Sequence, residues 1–289
     1  MASNYNGRSR WWMLLCCSTP VEPPEDVFTE PQVAASTTPQ EEHLIVGNYR
    51  LLQTLGKGSY AEVRLAQHIK TGKQVAVKII DKNNFDPLCV EQISQESKFL
   101  RLLNHPNIVQ LYEEIETSDA LYFVMEYVSG GNLFNYLKDH GRMEENKAHA
   151  LFRQMVSAVN HCHQNGILHG DLAPDNILVD ADGNIKISDF GISSWITPDY
   201  GPEVDLYSLG VVLYEMLTCY RPDYGAEPVQ MVQLDSEGYH DVPYYISNDC
   251  KNLLLKLMLR DPSAIYSISC DFSETLEGTC TGLYILNVL

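Results

Sequence analysis

Short apolar runs separated by turn residues predict a strand-rich first part of the chain, over residues 48–127. Two runs lie on either side of a glycine-containing turn at 56–60, and further strands are predicted at 75–80 and 121–125. One helix is predicted near 90–103, where the apolar spacing departs from the strand period.

After Gly131 the apolar residues follow the longer period of an α-helix. One helix is predicted from the spacing of Ala148, Leu151, Phe152, Met155, Val159 and Cys162. It is expected to stop at Gly166, and a second helix is expected to open at Pro202, with acidic residues in its first turn. The apolar stripe of that second helix comprises Leu206, Leu209, Leu213 and Leu217. A third helix is predicted at 251–258.

These patterns predict an α+β fold with a small strand-rich lobe at 49–127 and a larger helical lobe at 128–265. Residues 1–48 are rich in proline, serine, threonine and glutamate and keep no hydrophobic period, so a disordered arm is expected there. Residues 266–289 form a divergent tail with no interpretable pattern.

The run Arg8–Cys17 inside the arm joins basic, aromatic and paired cysteine residues. One interpretation is a membrane-surface anchor with cysteines open to S-acylation, and the alternative is a short apolar patch with no role. Ala2 excludes N-myristoylation, which needs glycine at that position.

Composition narrows the classes of partner and compartment. The 289 residues carry 38 acidic and 20 basic side chains, a net charge of -18, so no nucleic-acid partner is expected. A basic protein partner is compatible with this charge. The eight cysteines form no Cys-x-x-Cys pair, which favours a reducing, cytoplasmic location. No apolar run is long enough to predict a transmembrane helix.

The glycine turn is a candidate phosphate site. Gly56 and Gly58 lie between two predicted strands, where glycine lets the backbone approach a phosphate closely, although Ala61 stands where a third glycine would complete the common motif. A strand, and not a helix, follows the turn, which disfavours a dinucleotide fold. Lys78 on a later strand and Glu96 on the next helix fit a pair that aims an ammonium group at phosphates.

The most specific signal is the run 169–176, His-Gly-Asp-Leu-Ala-Pro-Asp-Asn, followed by Asp-Phe-Gly at 189–191. The carboxylate of Asp171 can orient a hydroxyl nucleophile and accept its proton. Asn176 and Asp189 offer the hard oxygen atoms that Mg²⁺ prefers. These residues in this order and spacing indicate phosphoryl transfer.

With these motifs the sequence resembles the eukaryotic protein kinases over residues 48–261. The runs 103–109, 152–159 and 201–205 are similar to the microtubule-affinity-regulating and AMPK-related Ser/Thr kinases. The resemblance implies a bilobal protein-kinase-like fold and transfer of the γ-phosphate of MgATP to a protein Ser or Thr hydroxyl.

The resemblance also implies roles for matching positions. Asp171 would be the catalytic base, Lys78 would hold the α/β-phosphates with Glu96 as its partner, and Asn176 and Asp189 would hold Mg²⁺. The implied ATP-binding positions are Gly56, Lys57, Gly58, Val63, Ala76, Lys78, Met125, Glu126 and Val128. Of these, Ala76 would pack on adenine, Met125 would be the gatekeeper, and the backbones of Glu126 and Val128 would bond the adenine edge.

Two departures from the family lie in the catalytic run. Gly170 replaces an arginine that normally pairs with an activation-loop phosphate, and Ala173 replaces a lysine that contacts the γ-phosphate. Losing such a donor slows transfer by roughly 100- to 1000-fold, by analogy with an oxyanion-hole donor.

The activation segment is truncated. Only ten residues, 192–201, separate Gly191 from Pro202, and the family's Ala-Pro-Glu triplet is absent. Ile265 stands where the family has the arginine that pairs with that glutamate. Asn132 stands where relatives often carry a glutamate for a basic substrate residue, so a preference for basic peptides is in question.

Three hypotheses follow from this balance. The first is a Ser/Thr protein kinase whose phosphate transfer is slowed by Ala173 and by the short activation segment. The second is a pseudokinase that acts as a nucleotide-binding scaffold or interaction protein, and the third is a truncated family copy that folds poorly. The oligomeric state stays open.

Overall fold

A computed structural model describes residues 44–58, 60–221, 234–235, 238–239 and 243–258. The described residues form a strand-rich unit and a larger helical unit, each of which is compact. The α+β fold class is therefore confirmed. The predicted arm up to residue 43, the Arg8–Cys17 run, Ile265 and the tail at 266–289 lie outside the described residues.

The first unit is built on one six-stranded sheet with the strand order β1-β2-β3-β4-β6-β5. The strands are β1 (Ile45–Val46), β2 (Tyr49–Lys57), β3 (Glu62–His68), β4 (Gln74–Asp81), β5 (Leu111–Glu116) and β6 (Ala120–Glu126). The first four are consecutive antiparallel neighbours, and two register shifts interrupt the β2–β3 pairing, one between Leu51 and Thr54 and one between Thr54 and Gly56. The strands predicted on either side of the glycine turn, at 75–80 and at 121–125 are therefore present.

One hydrophobic cluster of this unit lies on a single face of the sheet. Its buried members are Val46, Tyr49, Leu51, Ala66, Val75, Val77 and Val124. Val46 belongs to β1, which pairs with β2 through Ile45 opposite Arg50 and through Val46 opposite Tyr49. The sheet therefore begins at Ile45, inside the segment predicted as a disordered arm, because Val46 contributes an apolar side chain to the core.

Helix α1 (Pro87–Leu102) contains the helix predicted near 90–103. Asp86, just before it, accepts a hydrogen bond from the Cys89 backbone N–H at 2.9 Å, as an N-cap residue does. Residues 93–111 belong to the second unit, and that unit resumes at Glu126. The chain therefore enters the second unit within α1 and leaves it again at β5, and the lobe boundary at 127/128 stays a prediction.

The second unit contains the remaining helices. They are α2 (Leu133–His140), α3 (Glu145–Gln164), α4 (Glu203–Thr218) and α5 (Asn248–Met258). Helix α3 buries every residue of its predicted apolar stripe, and it ends before Gly166, whose positive φ of 73° suits glycine. Helix α4 starts after Pro202, as predicted, with two acidic residues in its first turn.

Short strands complete the second unit. They are β7 (Ile167–Leu168), β8 (Ile177–Val179), β9 (Ile185–Ile187), β10 (Ser194–Trp195), β11 (Leu234–Asp235) and β12 (Gly238–Tyr239). β8 pairs antiparallel with β9, β7 with β10, and β11 with β12. The β8–β9 hairpin begins just after Asn176 and ends just before Asp189, so it brings both predicted metal-binding residues to one end of a rigid element.

None of the helices in the described ranges combines the length and the apolar character needed to span a bilayer.

A glycine sets the contact between helices α4 and α5. A Cβ atom at Gly210 would lie 2.8 Å from Leu257 Cβ and 2.9 Å from Met258 Cγ, closer than side chains approach in folded proteins. We therefore expect Gly210→Ala to lower the free energy of unfolding by about 1–3 kcal/mol, because the overpacking outweighs the better helix propensity of alanine.

Thermal and urea unfolding of the purified variant measure this loss. Gly56→Ala is the matched control, since a Cβ there meets no atom within 4 Å. A Gly210→Ala protein as stable as the wild type would contradict the close packing of α4 on α5.

Candidate active site

The loop that carries the predicted catalytic base is fixed by His169, whose side chain is fully buried. Its Nδ1 atom accepts a hydrogen bond from the Asp171 backbone N–H at 3.2 Å, and its Nε2 atom lies 3.1 Å from the Ser188 carbonyl. The ring also packs edge-on against Phe190, with 4.7 Å between centroids. One side chain thus connects the loop at 169–171 to the segment that contains Asp189.

Asp205 in the first turn of α4 holds the same loop from the opposite direction. Its Oδ2 atom accepts a hydrogen bond from the His169 backbone N–H at 2.9 Å, and its Oδ1 atom accepts one from the Gly170 N–H at 2.8 Å. His163 on α3 donates from Nε2 to Oδ2 at 2.8 Å. A single buried carboxylate therefore ties together two helices and the catalytic loop.

The charge on Asp205 is stabilised by these partners. Burial by itself raises the pKa of a carboxyl group, but the hydrogen bond and charge of His163 and the Gly170 N–H outweigh it. The pKa of Asp205 consequently lies below its usual range. The carboxylate stays ionised and remains an acceptor for both backbone amides.

Asp171 contacts Asn176 within the second unit. The Asn176 Nδ2 group donates to the Asp171 carbonyl at 2.8 Å and to its Oδ2 atom at 3.0 Å. Burial raises the pKa of Asp171, and the nearby charge of Asp189 raises it further. A carboxylate with a raised pKa is a better proton acceptor once it is ionised, as a general base requires.

Asp189 follows β9 and has a left-handed backbone, with φ at 64°. Aspartate tolerates this region better than most residues, and such strain is concentrated at functional sites. The hairpin sets Asp189 beside Asn176, because the Ser188 N–H and hydroxyl both donate to the Asn176 carbonyl, at 2.9 and 3.1 Å. The three residues predicted from the sequence motifs, Asp171, Asn176 and Asp189, thus lie together in one local constellation.

This constellation fits a divalent cation that a nucleotide brings with it. The amide nitrogen of Asn176 is used on Asp171, so its amide oxygen and the Asp189 carboxylate are the hard donors that could bind the cation. In the part of the chain that the structure describes, no group of three or more His, Cys, Asp or Glu side chains could hold a metal. A site with two protein ligands suits Mg²⁺, which usually keeps waters and phosphate oxygens.

The structure gives Gly170 a role that the sequence did not predict. Its φ of 79° lies in the left-handed region, which favours glycine. An added Cβ would meet the Ile192 carbonyl oxygen at 3.4 Å and the Tyr200 hydroxyl at 3.8 Å. Glycine at this position therefore suits the local backbone, in addition to the loss of an arginine partner inferred from the resemblance.

The short activation segment is ordered. β10 pairs with β7, with Ser194 opposite Leu168, and the Trp195 ring packs edge-on against Phe99 of α1 at 5.2 Å between centroids. A tight turn follows, in which the Thr197 and Tyr200 backbones exchange hydrogen bonds at 3.0 and 3.2 Å. The segment therefore has its own folded path between Gly191 and α4.

The glycine turn of the first unit is closed by a backbone hydrogen bond. The Gly58 N–H donates to the Ala61 carbonyl at 2.8 Å, while Gly56 lies opposite Val63 and Lys57 opposite Glu62 in the β2–β3 ladder. The candidate ATP-covering residues thus lie on one hairpin.

Lys78 is buried in β4 of the same unit, with 5% of its surface exposed. Its Nζ atom donates to the Tyr60 hydroxyl at 3.3 Å and lies 4.9 Å from the centroid of the Tyr60 ring. Lys78 therefore lies beside the glycine turn, as a lysine that binds phosphates would. Glu96, its predicted partner, is 2% exposed on α1 in the second unit, and their pairing stays a prediction.

The remaining candidate nucleotide residues follow β4 and β6. Ala76 is buried in β4, and Met125 ends the first unit in β6. The Glu126 N–H donates to the Gln110 carbonyl at 2.9 Å. Because that N–H is already used, a hydrogen bond between Glu126 and adenine would use the Glu126 carbonyl. Val128 is buried two residues later.

Sequence reasoning missed two side chains that organise the loop, Asp205 and His163. Asp205 was read only as an acidic residue that opens helix α4. A sequence signal for Asp205 was present, because this acid shares one helical face with the apolar residues Leu209, Val212 and Met216. An acid on an apolar face needs a buried partner. Asn132 has a local role too, since its Oδ1 accepts from the Asn135 N–H and caps α2.

Comparison with known proteins defines the class to which this fold and site belong. The family described as "Protein kinase domain" matches residues 49–200, more than half of the chain. The chain belongs to the protein kinase family. The family uses ATP, a divalent metal ion and protein substrates.

Similar proteins narrow the class to named Ser/Thr kinases. The chain is 39% identical to "Serine/threonine-protein kinase SIK2" of Gallus gallus over 260 residues, 82% of this chain and 33% of that protein. It is 38% identical to "Probable serine/threonine-protein kinase MARK-A" of Dictyostelium discoideum over 75% of this chain and 23% of that protein. It is also 39% identical to "Serine/threonine-protein kinase SIK1" of Rattus norvegicus, over 80% of this chain and 33% of that protein. The predicted resemblance to this branch is confirmed.

The chain spans about a third or less of the length of these relatives.

Removing the Asp205 charge tests whether it holds the loop. We expect Asp205→Asn to lower the free energy of unfolding at neutral pH by about 3 kcal/mol, because two backbone amides and His163 lose a buried anionic acceptor. The pKa of Asp205 is lower in the folded chain than the roughly 3.9 of an unfolded aspartate. Its contribution is therefore present above about pH 4 and is lost as the pH falls through the folded value.

Urea unfolding of the wild type and of Asp205→Asn, from neutral to acidic pH, measures the difference in their free energies of unfolding. That difference should become smaller below about pH 4. Asp199→Asn is the control, since Asp199 is exposed in the same region of the chain. A stability difference that is small at neutral pH, or constant with pH, would contradict the role of this carboxylate.

Proposed function

We propose that the chain is a protein serine/threonine kinase that transfers the γ-phosphate of MgATP to a protein Ser or Thr hydroxyl. The observation that carries this proposal is the joint placement of Asp171, Asn176 and Asp189 by one loop and one hairpin. The named Ser/Thr kinases among the similar proteins support the same reaction. The pseudokinase alternative has no comparable support.

Each residue has a distinct part in this proposal. Asp171 accepts the proton of the attacking Ser or Thr hydroxyl, and Asn176 orients the Asp171 carboxylate through its amide nitrogen. Lys78 binds phosphate oxygens beside the glycine turn, and the glycines of that turn let the backbone approach the phosphates closely.

Asn176 and Asp189 would hold the Mg²⁺ ion. When bound, that ion neutralises developing charge on the phosphates.

A cytoplasmic location is part of the proposal. The cysteines of the described part, Cys89, Cys162, Cys219 and Cys250, carry thiols and form no disulfide. Thiols of this kind persist in a reducing compartment. Membrane association through Arg8–Cys17 remains a separate, weaker hypothesis, which concerns residues outside those described.

Asp171→Asn tests the proposed chemistry. We expect transfer from labelled MgATP to a mixed protein substrate to fall by a factor of roughly 100 to 10,000, since the amide cannot accept the hydroxyl proton. Because burial raises the pKa of Asp171, the wild-type rate should rise with pH through that pKa, and the variant should lose this dependence.

Asp182→Asn, an exposed change in the β8–β9 turn, is the control and should retain full activity. Transfer from wild type that is no greater than transfer from Asp171→Asn would contradict the kinase proposal.

Ala173 offers a gain-of-function test. If a missing phosphate donor limits the rate, Ala173→Lys should raise the rate of transfer by about a hundredfold. The matched control is Ala173→Met, which adds a chain of similar length without charge. The kcat of both variants with one protein substrate provides the measurement, and equal effects of lysine and methionine would contradict an electrostatic role at this position.

A further inference from the structure

Two carboxylates near the catalytic loop have no part in the phosphate chemistry. Asp175 lies in a short 3₁₀ turn at 174–176, between Ala173 and Asn176. Glu215 lies in the last turn of helix α4, the helix whose first turn holds His169 and Gly170 through Asp205. The negative charge of Asp175 raises the pKa of Glu215. We name these two residues the acidic recess.

Glu215 is buried although it carries an ionisable group. Only 7% of its surface is exposed, and its Oε1 atom has no hydrogen-bond partner within the part of the chain described. The pKa of Glu215 is raised to about 7, chiefly by burial; the charge of Arg221 lowers this pKa, and the charge of Asp175 raises it. A buried acceptor without a hydrogen bond is costly unless another group can use it.

Arg221 is the cation that faces this recess. Its Nε atom lies 3.7 Å from Glu215 Oε1, an ion-pair distance that is too long for a hydrogen bond. The charge of Arg221 also lowers the pKa values of Asp175 and Asp171. One guanidinium therefore acts on the recess and on the proposed catalytic base together.

The chemistry of the recess defines what else could enter it. Asp175 lies four residues after the proposed catalytic base, and the charge of Arg221 acts on both residues. The two carboxylates of the recess attract a cationic side chain of a bound peptide, and the Glu215 Oε1 atom could accept a hydrogen bond from it. Arg221 already supplies a positive charge there. A peptide arginine would therefore meet a like charge and a recess that is largely neutralised.

We propose that Arg221 is a specificity-determining residue, which occupies the acidic recess and removes any advantage of a basic residue in the protein substrate. This inference rests on the proposed kinase function, since it names the peptides that the same site accepts. An arginine and an uncharged residue near the acceptor hydroxyl of the substrate are therefore accepted equally. Arg221→Ala converts the chain into one that selects basic peptides.

Peptide binding tests the proposal without depending on catalysis. The probes are fluorescently labelled serine peptides that are otherwise uncharged, in which a single arginine or alanine is scanned position by position around the serine. Fluorescence anisotropy with the full-length chain gives the ratio of the two dissociation constants at each position. Wild type should show ratios near one.

Arg221→Ala should bind the arginine peptide about tenfold more tightly than the alanine peptide at one position of the scan, a change of about 1.4 kcal/mol. Adding Glu215→Gln to Arg221→Ala should remove that preference. Arg221→Lys keeps the charge and should behave as wild type. Arg153→Ala, an exposed arginine on α3, is the matched control.

Two results would overturn the proposal: a wild-type preference for the arginine peptide, or ratios that Arg221→Ala leaves unchanged. The Arg221 side chain is 37% exposed, so its truncation leaves no sealed cavity, and Arg221→Gln provides a second neutral variant of similar size. Phosphate transfer is measured on the same samples. Absent transfer contradicts the proposed kinase function, while the binding ratios still decide the role of Arg221.

Discussion

The active site depends on one buried carboxylate that accepts hydrogen bonds from two consecutive backbone amides. Asp205 binds the N–H groups of His169 and Gly170 and the imidazole of His163. Hydrogen bonds to an ionised acceptor are stronger than neutral ones, particularly away from water. Asp171 follows these amides directly in the chain. The position of the proposed catalytic base is therefore set by helix α4, a rigid element of the core.

The same constraint explains how a short activation segment can remain ordered. The segment cannot rely on an arginine at 170, because that position is a left-handed glycine. Its path is set by strand pairing of β10 with β7 and by packing of Trp195 on Phe99. The Ser193 hydroxyl adds a hydrogen bond to the His169 carbonyl at 3.0 Å. Packing and backbone pairing replace the charge-based ordering that the family resemblance would imply.

The recess at Asp175 and Glu215 fits this view of the site. Helix α4 positions carboxylates at both of its ends, one for the backbone of the catalytic loop and one for Arg221. The first is ionised by its hydrogen bonds, whereas burial raises the pKa of the second. Two acids on one helix thus have opposite properties, because of what surrounds them.

The strands and helices, the family and the residues at 171, 176 and 189 could be predicted from the sequence. These features depend on local periodicity and on fixed spacing within short runs, as in the Asp-Phe-Gly triplet at 189–191. The strand at Ile45 was missed because two residues are too few to show a period, and the strand is defined by its pairing with Tyr49 and Arg50. Asp205, Arg221 and the left-handed Gly170 depend on contacts between distant segments or on backbone angles, which a single sequence does not display.

The central claim is that the Asp205 carboxylate holds the catalytic loop through the His169 and Gly170 amides. Hydrogen exchange of these two amides, resolved by NMR, tests it most directly. We predict slow exchange of both in wild type and faster exchange of both in Asp205→Asn, while amides in the centre of helix α3 are unchanged. Rapid exchange of the His169 and Gly170 amides in the wild-type protein would contradict the account.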